Sequence, residues 1–62
     1  MDRVTVKVEL TDEQALALAQ FVKRVGFSEC DANAVDKDEA YLMIDALNAV
    51  RRELAEVGYA PR

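Results

Sequence analysis

The chain has 62 residues, 52% of them apolar and 32% charged, with a formal net charge of −4. This composition excludes a disordered tail and leaves room for one small folded domain. A chain of this length hides only about 60% of its unfolded surface, so its own core is marginal, and disulfides, a metal or a partner usually make up the difference. One cysteine and no histidine exclude an internal disulfide and a conventional zinc site, so the sequence points to a partner.

Residues 3–10 come first. Val4, Val6, Val8 and Leu10 alternate with Arg3, Thr5, Lys7 and Glu9. Period two in β-favouring residues predicts a strand with one apolar face and one face carrying two cations and a hydroxyl.

Thr11-Asp12-Glu13-Gln14 has the residue types of a capping box, with acids at the positive end of the helix dipole. The predicted helix covers residues 12–25. Lys23 and Arg24 suit its last turn, and Gly26 is expected as the left-handed residue that ends it. Ala15, Leu18, Phe21, Val22 and Val25 form the predicted buried stripe, and Leu16 projects on the polar side.

Residues 27–35 read as an acidic connection around Cys30, long for a helix–helix link. Ser28-Glu29-Cys30-Asp31 is compatible with one short turn, and Phe27 or Val35 is expected to tack the segment to the core. Cys30, flanked by Glu29 and Asp31, reads as a small half-buried side chain rather than a reactive thiolate.

A second helix is predicted over residues 37–57, opened by Asp36-Lys37-Asp38-Glu39 and ended by Gly58 and Pro61. Met43, Leu47, Val50, Leu54 and Val57 follow a heptad-like 4-3-4-3 spacing, flanked by Leu42 and Ile44. The predicted fold class is therefore α+β, a single β-α-α domain. A lone strand leaves both edges unpaired, and antiparallel pairing with the same strand of a second copy in a homodimer resolves that. Residues 27–35, or the tail from Tyr59, are the other candidate second strands.

The charge is uneven. Between residues 28 and 45, six acids (Glu29, Asp31, Asp36, Asp38, Glu39 and Asp45) face one base, Lys37, for a local −5; six acids and seven bases elsewhere give +1. No residue pattern points to an enzyme: the commonest general base is absent, and a chain this small barely encloses a dry cleft. Asp31-Ala32-Asn33-Ala34-Val35-Asp36 departs from a calcium loop at its fifth, sixth and twelfth positions (Val35, Asp36 and Leu42). No cofactor or metal is expected. Apolar runs reach five residues, far below the roughly 18 of a membrane span, and the opening Met1-Asp2-Arg3 lacks a leader's apolar stretch. Both predict a cytoplasmic protein.

Two resemblances extend this reading. The alternating strand, Leu10-Thr11-Asp12-Glu13 and Gly26-Phe27-Ser28 resemble the ribbon-helix-helix family of DNA-binding repressors and antitoxins over residues 4–28. That resemblance implies a two-stranded ribbon whose Arg3, Thr5 and Lys7 contact DNA. The family's second helix follows its glycine turn at once, whereas here the acidic connection intervenes. The whole chain is also similar to short proteins of phages, prophages and plasmids, through Leu10-Thr11-Asp12-Glu13-Gln14-Ala15, Ala34-Val35-Asp36-Lys37-Asp38-Glu39-Ala40-Tyr41 and Gly58-Tyr59-Ala60-Pro61-Arg62. Such proteins include anti-CRISPR inhibitors that occupy a nucleic-acid groove as DNA mimics. The resemblance implies a non-enzymatic inhibitor presenting Asp31, Asp36, Asp38, Glu39 and Asp45, with Tyr41 as anchor, to the basic groove of a nucleic-acid-handling complex. Regulation by direct DNA binding through Arg3, Thr5 and Lys7 is the alternative.

Overall fold

A computed structural model of the chain describes residues 2–60. Among them it contains three α-helices: α1 (Asp12–Arg24), α2 (Phe27–Ala32) and α3 (Lys37–Glu56). No residue among them belongs to a β-strand. The expected β-α-α, α+β fold is thus corrected to an all-helical one. Residues 3–10 form an arm without a hydrogen-bonded ladder, and its whole length is exposed. The physical reason is that alternation specifies two faces but not a partner, and the helical body offers no sheet edge to pair with. Neither alternative second strand forms among the described residues: residues 27–32 are helical, and Tyr59 folds back on α1. The radius of gyration, 12.5 Å, exceeds the roughly 10.6 Å of a compact chain of this length, so the fold is not a closed ball.

Each helix begins where its polar residues satisfy the first backbone groups. Thr11 Oγ1 accepts from Gln14 N at 3.1 Å, and Thr11 N donates to Gln14 Oε1 at 3.0 Å, completing the box that the sequence predicts. For α3, Asp36 Oδ1 accepts from Glu39 N at 2.9 Å, but the Glu39 carboxylate reaches one residue further back, to Val35 N at 3.0 Å. Gly26 is not a left-handed stop. Its φ is −122°, and it is the N-cap of α2, where its N–H donates to the Glu29 carboxylate. Gly58 does take the left-handed role after α3, at φ 102°. Pro61 lies outside the described residues.

The core lies where α1 meets α3. Ala15, Ala19, Val22 and Leu54 are its buried members, with Leu18, Leu47 and Tyr59 packed against them. The predicted stripe is partly displaced. Ala19 is buried, whereas Phe21 is 56% exposed, and Val25 is only half-buried. In α3, Leu54 is buried, Met43 and Leu47 are half-buried, and Val50 and Val57 are exposed. α2 packs on α3, and Cys30 on the one and Ala40 on the other are buried. Cys30 is thus more enclosed than the expected half-buried side chain. Small residues dominate this interior, so the helices approach closely while long apolar side chains remain at the surface. Among the described residues no large side chain is wholly buried.

Tyr59 closes the end of the body. Its hydroxyl donates to Asp12 Oδ1 at 2.6 Å, and its N–H donates to Leu54 O at 2.8 Å. Forty-seven residues separate the phenol from its acceptor, so this contact ties the exit of α3 to the start of α1. The shared hydrogen bond, then desolvation, then the Asp12 charge hold the phenol above its ordinary 10.0.

Candidate functional site

The acidic residues named from the sequence gather at the α2–α3 corner, but they do not share one role. Asp36 is the N-cap of α3, and Glu39 accepts from Val35 N. Asp31, half-exposed, pairs with Lys37 at 2.9 Å. Glu29 caps the start of α2. These four carboxylates position backbone or balance a cation, so much of the local charge is tied to building the corner. A surface pair such as Asp31–Lys37 contributes only about 0–1 kcal/mol, because solvent screens it.

Asp38 and Asp45 differ. Both are exposed, and neither side chain has a partner among the described residues. They lie seven residues apart on α3 with Tyr41 between them, at i, i+3 and i+7, so all three occupy one exposed helix face. Tyr41 is held from below: its ring centroid lies 4.9 Å from that of half-buried Phe27, tilted by 40°. Lys37 Nζ sits 5.4 Å from the centroid of the Phe27 ring. Of the two residues expected to tack the segment to the core, Phe27 is held, against Tyr41 on α3. Val35 is not; it is 86% exposed.

The exposed apolar residues of this corner, Val35 and Leu42, are a signal that the charge count hides. The sequence places Leu42 only as a flank of the α3 seam. Its exposure is decided by how α1 and α2 divide the surface of α3. Carboxylates beside Tyr41, Val35 and Leu42 combine charged steering with apolar area, the mixture that protein interfaces use.

The other named site residues lie apart from this corner in role and element. Arg3, Thr5 and Lys7 are exposed on the arm. The ribbon that the resemblance implied for them is absent among the described residues. Leu16 is 52% exposed on α1, as helical spacing predicts. A separate, largely apolar groove of about 340 Å³ runs between α1, α2 and α3, lined by Phe21, Val25, Cys30, Met43, Ala46 and Leu47, with Glu29 and Asn33 at the same surface. Among the described residues no three or more Cys, Asp and Glu side chains are arranged to hold a metal ion, and no helix is long and apolar enough to cross a membrane.

These features define a small three-helix protein with an acidic corner that displays Tyr41 and an exposed arm without regular secondary structure. The chain belongs to a family of unknown function (DUF7706), whose sequence pattern matches residues 1–62. No curated protein and no solved structure matches it.

Proposed function

We propose that this protein is a non-enzymatic docking protein of the cytoplasm whose α2–α3 corner binds a basic protein surface and so blocks nucleic acid from it. The observation that carries this reading is the single exposed face of Asp38, Tyr41 and Asp45, with the tyrosine seated on Phe27 and no partner for either carboxylate among the described residues. Carboxylates displayed this way attract arginine and lysine, and a half-immobilised tyrosine gives contact area at low entropic cost. Asp31, Asp36 and Glu39 contribute to the local potential while holding the corner in shape. The resemblance to phage and plasmid proteins read from the sequence makes RNA-guided effector complexes, the targets of anti-CRISPR inhibitors, the first to test.

The test is displacement of labelled duplex DNA from such complexes, with free labelled duplex as the control. Wild-type protein should displace DNA from the complex and leave free duplex unbound. The double variant D38K/D45K should lose the displacement while keeping wild-type helicity by circular dichroism. Failure of the wild type to displace DNA from any of them overturns the inhibitor reading. Salt-sensitive binding to free duplex would favour the DNA-binding alternative through Arg3, Thr5 and Lys7.

A further inference from the structure

The arm and the groove are both uncovered apolar surfaces of the same chain. Val4, Val6 and Val8 are 85%, 74% and 67% exposed, and Leu10 is 41% exposed. Four apolar side chains on one alternating face are left in water. Phe21, beside the groove, is also more than half exposed. Isolated exposed residues need no explanation, but a continuous apolar face does.

We infer that the chain forms a homodimer in which the apolar face of each copy's arm, Val4 to Leu10, packs into the groove between Phe21, Val25, Met43, Ala46 and Leu47 of the other copy. Two observations argue for a second copy as the occupant. The first is area. The chain exposes 5461 Å². A folded monomer of its 6.9 kDa exposes about 4,000 Å². The surplus, roughly 1,400 Å², exceeds the ~800 Å² per partner that a standard stable interface buries.

The second is fit. Alternate side chains of an arm in β-like conformation stand about 6.6 Å apart on one side, and the seven residues from Val4 to Leu10 reach roughly 20 Å. Val4, Val6, Val8 and Leu10 then all stand on one side, the side turned to the groove. The body has no sheet edge, so the contact is made by side chains entering a helical groove and not by extension of a ladder. A two-fold axis makes both contacts at once, so neither copy keeps an open groove.

The experiment uses the full chain. Light scattering after chromatography at about 100 μM should give twice the 6.9 kDa chain mass. A sample mixed from differently isotope-labelled chains should show intermolecular contacts from the Val6 and Val8 methyls to Phe21 and Met43. Val6→Asp in the arm and Ala46→Glu in the groove, both at exposed positions, should each weaken the dimer at least tenfold and keep monomeric helicity. A monomer at that concentration overturns the inference. So does a dimer without arm-to-groove contacts, or contacts that form only within one copy. Because Asp38 and Asp45 are not in the groove, D38K/D45K should remain dimeric, which separates this outcome from the docking reading.

Discussion

The arm and the α1–α3 seam are both rich in apolar residues, yet they meet opposite fates. In the seam, Ala15, Ala19 and Val22 recur at helical spacing on α1 and are buried with Leu54 of α3. In the arm, Val4, Val6, Val8 and Leu10 recur at spacing two and are exposed. A helix satisfies its own backbone hydrogen bonds and needs only one covered stripe. A strand needs a neighbour for its backbone as well as cover for its face. The seam finds its cover forty residues away in the same chain. The arm finds neither requirement there.

The comparison breaks most sharply at Leu54. It is the one large aliphatic side chain among the buried core members, so Leu54→Ala should cost about 2–4 kcal/mol, a large part of the roughly 3–9 kcal/mol that a chain this size holds. Thermal melting by circular dichroism should show the helical signal lost at much lower temperature. Val6→Asp should leave the melting of dilute, monomeric protein unchanged within about 0.5 kcal/mol, because Val6 buries nothing in one copy. An equal loss at both positions would mean that the arm belongs to the folded core.

Within the acidic corner the same measurement separates builders from displayed groups. Asp36→Ala removes the α3 cap and should cost about 1 kcal/mol, whereas Asp38→Ala should stay within about 0.5 kcal/mol. Gly58→Ala should also cost about 1 kcal/mol, since alanine resists φ 102°. Equal effects of the two aspartate changes would remove the distinction on which the docking face rests.

The smallest expected effect tests how the end of the body is closed. Tyr59→Phe deletes the hydroxyl that donates to Asp12 and should lower the melting temperature by a few degrees. Its pH dependence has a defined sign. The folded phenol ionises above its ordinary value, so the unfolded chain loses this proton first. The stability it contributes is complete below pH 10 and falls as pH rises through the folded value. Tyr59→Phe should flatten that alkaline loss in melts between about pH 9 and 11.

Much of the helical architecture was legible because its signals are local. The Thr11 and Asp36 caps and the glycine stop at Gly58 all follow from residues within a few positions of each other. Gly26 was misread for the same reason: a glycine after a cationic turn suits a left-handed stop, but the same glycine also precedes Phe27-Ser28-Glu29, and the Glu29 carboxylate recruits its N–H as the start of α2. Which of two helices owns a glycine between them depends on the second helix forming. Of the candidate site, Asp38, Tyr41 and Asp45 were readable as one helix face, but their separation from the capping acids was not. Charge counts treat all carboxylates alike, and only the hydrogen bonds sort them.

The amino-acid order by itself determined where α1 and α3 begin, the concentration of negative charge at residues 28–45 and the two-faced character of the arm, because each depends on neighbouring residues. Tertiary structure alone decided that small residues fill the interior, that Phe21, Leu42 and Val50 stay at the surface, and that the arm is left exposed among the described residues. Those outcomes depend on which helix faces meet, and a pattern along one chain specifies a face without specifying what covers it.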